Sequence, residues 1–247
     1  MFGFFDPYQL LFALPALALA LWAQAKVKSA FARYSQVRTR RGLTGAQAAA
    51  VVVASSGMQG VKIEPVEGDL TDHYDPRTRT LRLSESVYGS DSIAAVGVAA
   101  HEAGHSIQHA RAYFPLQVRS AWVPLAGFGS KFSFLVILLG IFLGPVLGTK
   151  LVVPHLQEKI VWAGIGLYAF VVAFTLITLP VEIDASRRAV AVLTQQGIVS
   201  TPEEEEGVRK VLQAAALTYV AAAAGAILQL LYLVLRFGGG GRSNDES

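Results

Sequence analysis

The residues of this chain best suited to chemistry are His101, Glu102 and His105, in the run His101-Glu102-Ala103-Gly104-His105. On a helix, residues four apart project from one face, so the two imidazoles can reach a single metal ion. The glutamate between them points toward the same centre. It is poorly placed to be a third ligand but well placed to hold and deprotonate a water on the metal. That chemistry is hydrolysis at a zinc ion. Val98, Ala99, Ala103, Gly104, Ser106 and Ile107 carry no charge that would compete for the ion. A helix with two incidental histidines is the plainer alternative, and the completeness of the pattern weighs against it.

The elements that must position these residues are apolar. Hydrophobic residues make up 53% of the chain, and four runs carry no charge: 7–25, 132–149, 160–181 and 211–235. Each approaches the roughly 20 residues a helix needs to cross about 30 Å of hydrocarbon. The second extends backwards through 123–130, with Lys131 snorkelling or facing protein. Pro15 in the first is tolerated better in lipid than in water. A signal peptide is disfavoured, because only Asp6 is charged ahead of the first run and the basic residues follow it. Lys26, Lys28, Arg33, Arg38, Arg40 and Arg41 place the end of that helix in the cytoplasm and its start outside. A net charge of +3 and the membrane setting of this basic run argue against nucleic acid. No cysteine is present, which excludes disulfides and thiol catalysis.

Between the first two runs, residues 42–120 read as a small soluble stretch. Thr44 and Gln47 form a capping box for a helix that ends near Gly57. Residues 61–64 read as a strand, Asp75-Pro76 as a turn, and 78–84 as a half-exposed strand with Leu81 and Leu83 on one face. Ser90 or Asp91 caps the next helix, which carries the two histidines to about Ala112. Thr201-Pro202 followed by Glu203–Glu206 reads as a helix start with acids at the positive dipole end, not as a metal cluster. The tail from Gly238 to Ser247 is expected to be disordered.

A catalytic zinc needs a third protein ligand and an open position. The run 180–188, just past the third apolar run, supplies carboxylate candidates in Glu182 and Asp184. Two spans separate this run from His105, so the chain returns to the same side, which Arg187 and Arg188 again mark as cytoplasmic. The connection 150–159 would then be external. Arg187, Arg188, His73, Tyr74 and His109 are candidates to stabilise an oxyanion or meet substrate. His109 continues the four-residue spacing, but eight residues of helix rise about 12 Å, too far for one ion to bridge. A third histidine six residues past His105 is excluded by Arg111. Two other classes fit the residues less well. A catalytically idle zinc scaffold would have no use for Glu102, and a transporter would carry more charge within its spans.

Three stretches carry a resemblance: 101–109, 179–188 (Leu-Pro-Val-Glu-Ile-Asp-Ala-Ser-Arg-Arg), and Asp72-His73-Tyr74-Asp75-Pro76 with Leu81-Arg82-Leu83-Ser84. They resemble the bacterial membrane-bound neutral zinc metallopeptidases of the YugP-like family, over nearly the whole chain apart from its tail. More distantly the chain is similar to gluzincin-type membrane peptidases of the HtpX and prenyl-protein protease kind. The resemblance implies His101, His105 and Glu182 as ligands of one zinc per chain and Glu102 as general base. Those distant relatives place an aspartate four residues after the ligand glutamate. Here that position is Ser186, and Asp184 stands two residues on, so Asp184 competes with Glu182 as ligand or supports a histidine.

The expected fold is a mainly α membrane protein, with about four transmembrane helices and a small α+β zincin-like cytoplasmic catalytic region. Its parts would be a first span at 1–25, a cytoplasmic region at 26–120, two spans at 121–181, a third-ligand helix and connection at 182–210, and a last span with the tail at 211–247. The expected function is a zinc endopeptidase cutting proteins or peptides at the cytoplasmic face of a bacterial inner membrane, with membrane-protein quality control as a role this suggests. The expected partners are the bilayer and peptide substrates, with no nucleic acid; the sequence leaves the oligomeric state open.

Overall fold

A computed structural model of the chain describes residues 7–147 and 155–238, without the side chains of 144–147. Residues 150–154 of the expected external connection, and the expected disordered tail beyond Gly238, lie outside the described residues. In chain order the elements are α1 (Pro7–Tyr34), α2 (Gly45–Ser55), β1 (Lys62–Val66), β2 (His73–Asp75), β3 (Thr80–Ser84), α3 (Glu85–Tyr88), α4 (Ile93–Ala110), α5 (Phe114–Leu147), α6 (Leu156–Gln195) and α7 (Pro202–Gly238). The protein is a mainly α membrane protein. Four helices are long and apolar enough to span a bilayer, and only 6–28% of the most apolar window of each is buried within the chain. Apolar surface turned outward is what lipid solvates and water does not.

The chain forms two compact units. One comprises Met1–Ala20, Val118–Ile177 and Val220–Ser247. In it α5 and α6 approach closely through small residues. A Cβ on Gly164 would fall 2.9 Å from the Ile137 nitrogen and from the Ser133 carbonyl oxygen. In lipid, where burial of apolar side chains gives no driving force, such backbone proximity supplies the packing that holds helices together. Ile137, Val161, Ile165, Tyr232 and Leu233 form the centre of this unit.

The other unit comprises Leu21–Gln117 and Thr178–Tyr219. Its sheet has the order β1-β3-β2, with β1 parallel and β2 antiparallel to β3. Ile63 and Tyr74 lie on either side of Leu81. The expectation of a half-exposed strand at 78–84 is corrected. The strand begins at Thr80 and is central, and Leu81 and Leu83 are fully buried. The three-residue strand β2, unforeseen, covers its other edge. The turn between β2 and β3 is built by Asp75, whose carboxylate accepts from the Arg77 N–H and the Thr78 hydroxyl.

α2 starts at the expected capping box: the Thr44 hydroxyl accepts from Gln47 N–H, and the Gln47 side chain accepts from Thr44 N–H. α4 is capped by Ser92, not by Ser90 or Asp91. Asp91 is engaged by the guanidinium of Arg38, and Ser90 hydrogen-bonds the Ser92 hydroxyl. Small residues clothe α4 on nearly every side. Ala95, Ala99, Ala100 and Ala103 are fully buried against a core that includes Val52, Leu83, Leu193 and Val208. A helix apolar around its whole circumference belongs in the interior, and this one carries the histidines there. At the start of α7 the Thr201 hydroxyl accepts from Glu204 N–H, as the capping pattern predicts. The buried Glu204 carboxylate also accepts from the N–H groups of Arg40, Ser200 and Thr201. It thereby ties the segment after α1 to the start of α7.

Candidate metal centre

His101 and His105 stand one turn apart on α4, with ring centroids 5.1 Å apart. Facing them, the nearly fully buried Glu182 of α6 places Oε2 3.2 Å from His101 Nε2 and 3.6 Å from His105 Nε2. The three ligand atoms lie within 4.8 Å of one another. Ligands tetrahedrally disposed about zinc, at bonds of 2.0–2.1 Å, are about 3.3 Å apart. Two of the separations thus bracket the spacing that a zinc ion imposes.

The approach of the two helices is set by Gly104. A Cβ there would fall 2.6 Å from the Ala185 carbonyl oxygen and 3.4 Å from its Cα. With only hydrogen at position 104, α4 and α6 touch backbone to backbone. Glu182, about one turn before Ala185, is thereby brought over the histidine face.

Two residues orient the imidazoles. Ser186 Oγ lies 3.0 Å from His101 Nδ1, and Gln108 Oε1 lies 2.9 Å from His105 Nδ1. The Gln108 amide can point only one way, because its nitrogen donates to the Val181 carbonyl at 2.8 Å and to Asp184 Oδ2 at 2.9 Å. Its oxygen must therefore accept, and His105 Nδ1 donates. In neutral His105 the Nε2 lone pair then confronts the Glu182 carboxylate. Two electron-rich atoms brought together in a buried place call for a cation between them. The His105 imidazole feels the same pull. Burial pushes its pKa down, but Glu182 and Glu102 outweigh burial and hold it above the ordinary histidine range. Two imidazoles and one carboxylate, each secured, are a donor set that fits zinc.

Glu102 sits at the edge of this group, with Oε1 4.0 Å from His101 Nε2 and its side chain 16% exposed. Burial raises its carboxyl above the ordinary range. The two histidines oppose that shift, and Glu182 and Asp72 add to it. A carboxylate so placed takes up a proton more readily than one in water.

The other predicted residues divide. Asp184 is not among the three converging groups; it accepts from Gln108 and from Arg188 Nε. Arg188 in turn lies 5.5 Å from the centre of the Tyr113 ring. Tyr74 on β2 and His109 on α4 pair with each other, the phenol oxygen 3.0 Å from His109 Nδ1. His73 is exposed and its Nδ1 lies 2.8 Å from the Thr71 carbonyl. Arg187 is exposed on α6. Gln108 and Ser186 are functional positions that the sequence alone does not single out. Gln108 carried a weak signal, a polar side chain three residues past a ligand on a buried helix. Ser186 stands in the sequence only where the distant relatives carry an aspartate.

The arrangement is a set of donors that could hold a metal ion, on a helical membrane protein. Residues 9–238 match the family described as "Putative neutral zinc metallopeptidase". The chain is also 45% identical over 222 residues to the "Putative membrane protease YugP" of Bacillus subtilis (strain 168), covering 90% of this chain and 93% of that protein. No solved structure matches it significantly. The chain belongs to this family of neutral zinc metallopeptidases.

Proposed function

We propose that the protein is a zinc endopeptidase acting on protein or peptide substrates, with one zinc per chain held by His101, His105 and Glu182. The observation that supports it is the convergence of these three side chains beside the Glu102 carboxylate. Zinc, when bound, supplies a Lewis acid that polarises a carbonyl and acidifies water. Glu102 accepts the proton of the attacking water and passes it to the leaving amine, a shuttle favoured by its raised proton affinity. Ser186 and Gln108 hold the histidine rings in one orientation throughout. Asp184 acts through Gln108. Tyr74 and His109 act as a pair, a hydroxyl and an imidazole available to hydrogen-bond substrate. The active site faces the cytoplasm at the inner membrane, as the basic residues after the first span and Arg187 and Arg188 after the third argue.

The test is zinc content and proteolysis of the purified chain beside Glu102→Gln. The mutant should keep about one zinc per chain, as three intact ligands imply. It should lose nearly all hydrolysis, since an amide cannot take the proton. Undiminished turnover would sink the mechanism.

A further inference from the structure

A groove of about 250 Å³ runs between α6 and α7. Each helix lines it with one stripe at helical spacing, 183, 186, 187 and 190 on α6, and 209, 212, 213 and 216 on α7. One part of the lining is cationic, from Arg187 and Arg209. Another is apolar, from Ile183, Leu212 and Ala216. No acidic side chain lines it. Arg187 has no hydrogen-bond or ion-pair partner among the described residues. Glu205 takes two of the five N–H donors of Arg209, leaving three free.

The position of these residues along their helices decides the occupant. Arg187 lies six residues past the apolar run that ends at Val181, about 9 Å along the axis; Arg209 lies two residues before the run that starts at Val211, about 3 Å. The headgroup layer on each side of the hydrocarbon is roughly 5–8 Å thick. Arginine stems several ångströms long bring both guanidinium groups into it. A free phosphate would use the cations and leave Ile183 and Leu212 idle. A peptide carboxylate would have no reason to sit at the depth of lipid phosphates.

We propose that this groove binds an anionic phospholipid, its phosphate held by Arg187 and Arg209 and an acyl chain along Ile183, Leu212 and Ala216. The proposal rests on the chain being a membrane protein and not on its peptidase reading.

The test uses the full-length chain purified in neutral detergent. Mass spectrometry of the intact complex would measure retained phosphatidylglycerol against phosphatidylcholine offered at equal concentration. The wild type should prefer phosphatidylglycerol. Arg187→Gln and Arg209→Gln should each lower that preference about five-fold, the usual effect of one basic residue at a membrane surface. The control Lys26→Gln/Lys28→Gln should leave it unchanged. Unchanged circular dichroism melts would establish that the variants fold; if Arg209→Gln does not, Arg187→Gln alone decides. Equal retention of the two lipids, no loss in the arginine variants, or an equal loss in the lysine control would overturn the proposal. So would displacement of the lipid by millimolar inorganic phosphate or by a short peptide with a free carboxyl terminus.

Discussion

Gln108 fixes the tautomer of His105, and that is a claim about zinc affinity. Its amide is held from two sides, so His105 Nδ1 must donate, which in the neutral ring leaves the Nε2 lone pair for a metal. Gln108→Ala should therefore lower zinc affinity about 10–100-fold, the usual loss when such a support is removed. Competition with a chromogenic chelator measures it, and wild-type affinity in a folded mutant would refute the tautomer argument. The two carboxylates of α6 separate in the same assay. Glu182→Ala should abolish tight binding, because its oxygen is one of the three that converge. Asp184→Asn should only weaken it, because Asp184 reaches the site through Gln108. The reverse ranking would transfer the ligand role to Asp184.

At the scale of elements, the contact between α4 and α6 is the controlling one. Gly104→Ala would drive a methyl group into the Ala185 carbonyl, and the helices must part by a few tenths of an ångström or more. We expect weakened zinc binding out of proportion to any loss of stability, read as zinc affinity beside a thermal melt. A mutant with lower melting temperature and intact affinity would speak against it. Leu81→Ala probes the sheet instead. Removing a fully buried side chain from the central strand should cost about 2–5 kcal/mol. A melt unchanged within error would contradict the central placement of β3. What the sequence made legible at this scale was local. The histidine spacing, the Thr44–Gln47 box and the lengths of the apolar runs depend on residues near one another in the chain. What it hid depends on distant partners. Asp91 looked like a cap and is engaged by Arg38, 53 positions away. Ser186 looked like a missing acid and meets His101, 85 positions away. β2 is too short to show any alternation, and without it β3 reads as an edge.

For the whole molecule, the proposed orientation makes a plain prediction. Reporters fused near Arg41, Arg111 and Gln195 should all read cytoplasmic, and one near Pro154, outside the described residues, should read external. Arg111 and Gln195 on opposite sides would leave Glu182 unable to meet the histidines and would overturn the ligand set. Metal removal reports on the same assembly by another route. An ion that binds only the folded chain stabilises it by mass action. Chelation should therefore lower the melting temperature of the wild type and leave that of Glu182→Ala unmoved. An equal shift in both would mean the chelator acts elsewhere.

Ser186 touches His101 on one side and lines the groove between α6 and α7 on the other. It is thus a back door to the metal site. The chain has no cysteine, so Ser186→Cys would carry a single thiol that a maleimide can reach from the groove. Labelling it should act as a noncompetitive inhibitor does. Turnover should fall because His101 loses its orientation, while the Michaelis constant stays where it was because the substrate's entrance is untouched. A risen Michaelis constant with unchanged turnover would instead make the groove part of the substrate's own path.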